Sequence, residues 1–437
     1  MSIPVVTVGQ AQEDLVGGLE RLHGPVTVVR RCAELAELLA ACQSGLARAA
    51  VVAEGSEELT ASLVDRLGAV GVAVIALTDS EGESSRLRGI GVSAVISTVA
   101  SAALAERISE AVAQFSGRGI AAKERVQPGV AEASPVPQPG ADDGGDTSAE
   151  PGTGKIIAVW GPAGSPGRTL LAVNIAGELA AEGKSVLLVD ADSYGASIGA
   201  VLGLLDEAAG LAQACRLADQ GLLDTASLLR VAVPVSTKSG TLRVLTGITR
   251  ADRWTELRAA ALALVLERAK EVADVVVVDT GFCLEADEEL SFDTMAPRRN
   301  AATLRSLELA DTVLAVGSAD SIGVPRLVRG LAELDAAVPG IRPEVVMNKV
   351  RAAAVGRSPE RQLREAWDRY GPATGIKAFL PSDPEAADTA LLSGSLLLEA
   401  APDSRLRSGI AALVCAPDQQ KRRSSVFTST AKRSLRG

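Results

Sequence analysis

Residues 161–169 read Gly161-Pro162-Ala163-Gly164-Ser165-Pro166-Gly167-Arg168-Thr169. Three glycines, a cation and a hydroxyl this close together are the residue types that grip a phosphate chain. Phosphate oxygens need a nest of backbone N–H donors at a helix N-terminus, where the helix dipole adds to the attraction. Gly161, Gly164 and Gly167 permit the close approach and unusual dihedrals of such a nest. Thr169 can place its hydroxyl on Mg²⁺, and Arg168 stands where a P-loop carries the lysine that reaches the β- and γ-phosphates. Arginine keeps the charge but is a larger planar fork, and Pro166 removes one possible N–H donor. Alone, the turn reads equally as a nucleotide cradle or as a glycine-rich turn that binds nothing.

Two acidic strand ends favour the cradle. Val186-Leu187-Leu188-Val189 runs into Asp190-Ala191-Asp192, and Val275 to Val278 runs into Asp279-Thr280-Gly281. Carboxylates at the C-terminal ends of parallel strands face the ligand crevice of an open α/β sheet. Asp279 can hold Mg²⁺ through water, and Asp192 can position or activate an attacking water. For a single strand-end aspartate, a helix cap is the simpler role; two after a phosphate-binding turn point to chemistry.

These residues need a scaffold of alternating strands and helices. From 154 to about 416, strands are expected at 155–160, 185–190, 242–246, 274–279, 312–317, 344–348 and 376–380. Helices are expected at 168–182, 208–219, 253–271, 300–309, 322–336, 358–369 and 403–415. Residues 1–115 alternate in the same way, with strands at 5–8, 26–29, 49–52, 72–77 and 94–96 and helices near 12–22, 33–43, 58–69, 82–89 and 101–115. The expected fold class is therefore α/β, with two doubly wound parallel-sheet domains. Between them, 116–153 is rich in Pro, Gly, Ala and Asp and reads as a disordered linker. Residues 417–437 carry Lys421, Arg422, Arg423, Lys432, Arg433 and Arg436 among Ser and Thr, and read as a disordered, solubilising basic tail.

The chain has 437 residues, 47% of them apolar and only 2% aromatic, so Ala, Leu and Val must fill the cores. A net charge of −10 disfavours a general nucleic-acid coat, and DNA is not an expected partner. The five cysteines, Cys32, Cys42, Cys215, Cys283 and Cys415, form no Cys-x-x-Cys pair, and His23 is the single histidine. Neither a zinc nor an iron–sulfur site is expected, and reduced thiols fit a cytoplasmic protein. No signal peptide or membrane-span pattern is present, so membrane association would be peripheral.

The first half weakly resembles a response-regulator receiver. Thr78 falls where receivers carry a hydroxyl residue, but Gly9-Gln10 replaces the acidic metal ligands, Ala53-Glu54 replaces the phosphoacceptor, and Thr98 replaces the lysine. That resemblance implies a pseudo-receiver serving as an interaction module; a generic α/β domain remains the alternative. From 154 to about 400 the chain resembles the deviant-Walker ATPases of the ParA/MinD group. That group pairs a P-loop with an Asp-x-Asp strand and an Asp-Thr/Ser-x-x-Gly-like strand. Its second lysine, which reaches across an ATP-sandwiched dimer, is Ala163 here, and Leu170 replaces a frequent hydroxyl residue. The resemblance implies ATP and Mg²⁺ as ligands and a homodimer as the working form. It places Gly164, Ser165, Gly167, Arg168, Thr169 and Leu170 around the nucleotide and Thr169 and Asp279 at the metal, with Asp192 and Asp279 as the catalytic carboxylates. Asn348, in Met347-Asn348-Lys349, and Pro381, in Pro381-Ser382-Asp383, match segments near the adenine.

A receiver-like half, a linker and an altered ParA/MinD-type domain together look like the TadZ/CpaE-like proteins. Trp160-Gly161-Pro162, Gly167-Arg168-Thr169 and Ala296-Pro297-Arg298-Arg299-Asn300 look like the actinobacterial, septum-site-determining-like subgroup. This resemblance implies positioning of a Flp/type IV pilus or secretion complex at a pole or septum, with slow or absent hydrolysis. The alternatives are a nucleotide-independent scaffold and a division or chromosome-partition regulator. For Arg298-Arg299, two readings stand: a phosphate or subunit contact, or an internal ion pair with Glu285, Asp287, Glu288, Glu289 and Asp293 beside a helix capped by Asn300.

Overall fold

The structure is a computed structural model that describes residues 2–9, 17–19, 21–22, 24–124, 154–204, 209–237, 240–286 and 298–415. The helix expected near 12–22, His23, the linker, the acidic residues 287–293, Ala296, Pro297 and the basic tail lie wholly or largely outside those residues. The chain divides into two compact units, Met1–Thr153 and Gly154–Gly437.

In the first unit, β1 (Ile3–Val8), β2 (Val26–Cys32), β3 (Ala49–Val52), β4 (Ala73–Leu77) and β5 (Ser93–Val95) form one sheet in the order β2-β1-β3-β4-β5. Every neighbouring pair is parallel, which is the flavodoxin-like winding. β3 and β4 are buried along their whole length, so their sequences are apolar runs rather than alternating patterns. The connecting helices carry local signals. Thr60 caps α2 (Ala61–Ala69) by accepting from Leu63 N, and Ser80 caps α3 (Glu81–Gly89) by accepting from Glu83 N. α1 (Leu35–Gln43) and α4 (Ser101–Glu124) complete the unit. At the C-terminal end of β1, Gly9 has φ +102°, and a Cβ there would lie 2.8 Å from Glu54 N. An acidic side chain at position 9 is thus sterically blocked. Thr78 Oγ1 accepts from Ser80 N at 3.2 Å.

The second unit holds eight strands in the order β13-β12-β11-β6-β10-β7-β9-β8. These are β6 (Lys155–Trp160), β7 (Val186–Ala191), β8 (Val233–Thr237), β9 (Gly240–Leu245), β10 (Val275–Thr280), β11 (Thr312–Ser318), β12 (Glu344–Val350) and β13 (Ile376–Pro381). All pairs are parallel except β8 with β9. That antiparallel hairpin departs from the all-parallel expectation. Pro234 and the half-buried alternation of β8 make it an edge strand rather than an apolar run. Short helices at Thr225–Val231, Pro384–Leu392 and Leu397–Ala400 were likewise not expected from periodicity.

Helix α5 (Arg168–Ala181) is buried from Leu171 through Ala180. It lies between the sheet and the last helix, Arg405–Val414, in a core that includes Leu171, Ile175, Leu179, Leu380 and Ile410. Its small residues permit that close packing, and the two polar residues of its buried stretch are satisfied. Asn174 Oδ1 accepts from Leu397 N at 2.7 Å. Glu178, 1% exposed, is held by Arg407 through bonds of 2.6 and 2.8 Å. The opposite face carries helices Gly210–Asp219 and Ala259–Val272 over β7, β9 and β10.

Candidate functional site

The chain leaves β6 to one side of the sheet for β7 and β9 and later to the other side for β11. That reversal beside β6 opens a crevice at the carboxyl ends of the strands. Pairing sets the depth of the acids there: Asp279 is level with Asp190 on one neighbour and with Val159 on the other. Sequence spacing alone could not fix that register.

The turn after β6 winds as a phosphate nest requires. Gly164, Ser165 and Gly167 have φ of +114°, +52° and +102°. Ser165 therefore occupies the left-handed region that favours glycine. A Cβ on Gly167 would lie 2.4 Å from Asn348 Nδ2, so only glycine fits. The turn is propped from β12: Asn348 Nδ2 donates to Pro166 O and Lys349 Nζ donates to Ser165 O, both at 2.8 Å. Lys349 itself has φ +58°. Asn348 is 2% exposed, so this structure places its amide behind the loop. Leu170 packs into the core beneath the first turn of α5, and Pro381 ends β13.

Arg168 does not project freely. Its guanidinium donates to Gly161 O at 2.8 Å and to Asp192 Oδ2 at 3.2 Å, and lies 6.0 Å from the Phe282 ring centre. The other Asp192 oxygen accepts from Tyr194 N and Gly195 N. Asp190 accepts from Ser197 N and Ile198 N, each at 2.9 Å. Thr169 Oγ1 donates to Asp279 Oδ2 at 2.6 Å. The remaining Asp279 oxygen, Oδ1, is buried with no hydrogen-bond partner.

Burial dominates the electrostatics. It pushes the Asp190 carboxyl up to about 6, with the nearby charge of Asp192 adding to the effect and the backbone donors opposing it. Asp279 is raised well above the usual carboxylate range by burial first and then by Asp190, against the opposing pull of Thr169 and Arg168. A buried acid with an orphaned oxygen is costly unless a cation completes it. Thr169 and Asp279 offer the hard oxygen donors that Mg²⁺ prefers, in a site that can leave its other positions to water and phosphate. The residues present therefore fit Mg²⁺.

Of the acids weighed as ion-pair partners for Arg298-Arg299, only Glu285 lies among the described residues, and Arg299 makes other contacts. Arg299 lies over the Tyr194 ring at 3.9 Å and donates to Ser193 O at 3.3 Å. Asn300 makes no side-chain cap to the helix Ala301–Leu309. It accepts from Tyr194 Oη at 2.8 Å and donates to Glu285 O at 2.8 Å. The segment thus buttresses the Asp192 turn through an aromatic residue, a contact that charge counting cannot reveal.

No family model matches the chain, and no curated protein matches it. Solved structures do. The cell division ATPase MinD of Pyrococcus furiosus is 19% identical, with 60% of this chain and 97% of that one covered at a TM-score of 0.46. The septum site-determining protein MinD of Pyrococcus horikoshii, complexed with Mg-ADP, is 17% identical, with 60% and 94% covered at 0.46. A ParA family ATPase from Chlorobium tepidum is 18% identical, with 60% and 98% covered at 0.47.

Proposed function

We propose that the second unit binds ATP with Mg²⁺ and acts as a nucleotide-dependent spatial regulator of the ParA/MinD kind. The observation that carries this reading is the pairing of Thr169 with Asp279 at the mouth of a left-handed glycine turn, with Asp279 Oδ1 left buried and partnerless. When bound, Mg²⁺ would neutralise phosphate charge and complete the oxygen set of Thr169 and Asp279. The turn's N–H groups and the start of α5 orient the phosphates. Asp192 would hold the attacking water, and its present bond to Arg168 must loosen for it to do so. Hydrolysis is therefore expected to be slow or absent. As an ATP-bound homodimer, the protein would position a Flp/type IV pilus or secretion complex at a pole or septum, with the first unit as an interaction module.

Calorimetric titration of the full chain with ATP and ADP, with and without Mg²⁺, tests the reading. Mg²⁺-dependent heat is expected, and Asp279→Ala should abolish it; no heat with any adenine nucleotide rejects the reading. The second reading, a nucleotide-independent scaffold, is favoured by one observation: Arg168 already satisfies Gly161 O and Asp192 within the protein. It predicts no heat and unchanged localisation in the Asp279→Ala strain.

A further inference from the structure

The turn lacks the early lysine of its group, because Ala163 stands there, and its own arginine is turned inward onto Asp192 and Gly161. A triphosphate bound in the nest would therefore need a cation from elsewhere. Lys349 holds Ser165 O. Arg326 is different. It lies in the first turn of α6 (Gly323–Ala337), at an exposed position. Its guanidinium reaches back over the turn, so that a Cβ on Gly164 would sit 2.6 Å from Arg326 Nη1. Gly164 thus leaves the space that the guanidinium fills.

Nothing in the local fold accounts for an arginine there. A cation in the first turn opposes the helix dipole, and this position favours an acid. Arg326 has no hydrogen-bond or ion-pair partner among the described residues. Asp320, the acid lining the same small cavity of about 180 Å³ with Pro162, Gly164, Ser318 and Arg326, is not paired with it. Instead, Asp320 accepts from Ser318 Oγ at 2.7 Å, Ile322 N at 3.0 Å and Gly323 N at 2.7 Å. Its oxygens are taken by those donors, and the guanidinium stands beside the outer wall of the nest with no hydrogen-bonded acid among the described residues.

We propose that Arg326 is a phosphate-binding residue, supplied from α6 across the β6–β11 crevice, that contacts the β- or γ-phosphate of the nucleotide. This inference rests on the nucleotide reading of the preceding subsection. Guanidinium suits the role because its planar fork can engage two phosphate oxygens at once. It also makes a graded prediction: the contact matters for ATP, for ADP only if it reaches the β-phosphate, and not for AMP, whose single phosphate lies at the sugar end.

The test is calorimetry on the full chain, titrating ATP, ADP and AMP with Mg²⁺ into the parent, Arg326→Ala and Arg326→Lys. Arg326→Ala should weaken ATP about tenfold or more, as expected for loss of a charge-assisted hydrogen bond, and leave AMP unchanged. Arg326→Lys should recover part of the loss. Because the side chain is exposed, both variants should keep the parent's thermal midpoint, which separates lost binding from lost folding. ATP affinity within twofold of the parent in Arg326→Ala overturns this inference while leaving the nucleotide reading intact. An equal loss for AMP also overturns it. A parent that binds no nucleotide overturns both.

Discussion

Replacing Asp279 with asparagine should make the ligand-free protein more stable while removing its response to Mg²⁺-ATP. Asp279 and Asp190 sit level on paired strands, at 0% and 1% exposure. For Asp190, a carboxyl raised from 3.8 to about 6 opposes folding at neutral pH by about 3 kcal/mol, at about 1.4 kcal/mol per unit. Asp279 is raised by the same burial, with Asp190 adding to it, so neutralising it relieves a strain of the same kind. Asparagine keeps the acceptor for Thr169 Oγ1 and puts an amide nitrogen where Oδ1 has no partner. Its unsatisfied N–H groups offset about 1–2 kcal/mol of the gain. The net expectation is a more stable ligand-free protein with a higher thermal midpoint. Mg²⁺-ATP at a hundred times its Kd would stabilise the parent by about 2.7 kcal/mol and leave the variant where it was. Differential scanning fluorimetry at pH 7, with and without ligand, reads both effects. A ligand-free variant that melts at or below the parent refutes the electrostatic argument. A variant that keeps the full Mg²⁺-dependent shift refutes the placement of the ion at Asp279.

Acid titration gives an independent check on Asp190. Its folded pKa is raised, so the folded state holds a proton that the unfolded chain has released; its contribution is fully favourable below about pH 4 and is lost as pH rises through about 6. Urea melts of the parent across that window should fall away more steeply than those of Asp190→Asn. Arg407→Ala strands the carboxylate of Glu178 at 1% exposure and should cost about 3–5 kcal/mol, whereas Glu178→Leu with Arg407→Met should recover most of it; equal urea midpoints for parent and single variant would remove the pair from the account of α5. Gly167→Ala drives a Cβ to 2.4 Å from Asn348 Nδ2 at φ +102° and should abolish nucleotide heat while leaving the far-ultraviolet circular dichroism spectrum unchanged. Ser165→Gly should be tolerated and should stabilise by up to about 1 kcal/mol, because Ser165 is held at φ +52°; a destabilised variant would show that the serine side chain has a role of its own.

Much of the architecture was legible because burial on both faces of a parallel sheet leaves short apolar runs. Val275–Val278 and Val186–Val189 are such runs, and each ends at an acid. The helix caps Thr60 and Ser80 are local too, each serving the helix that begins at the next residue. β8 was missed because Pro234 and its half-polar alternation give no such run. The Asn300 cap was misread because an asparagine before a helix is compatible with capping, whereas its hydrogen bond to Tyr194, over a hundred residues away in sequence, leaves no local trace.

By itself the sequence determined the βα alternation, the glycine turn before α5 and the acids at two strand ends, because each is written in consecutive residues and needs only backbone sterics and burial. Tertiary structure decided what those residues face. Strand register set Asp279 beside Asp190, the end of β12 propped the turn through Asn348 and Lys349, and α6 brought Arg326 over Gly164. Each of these contacts joins residues far apart in the chain, so its existence depends on how strands order and helices pack.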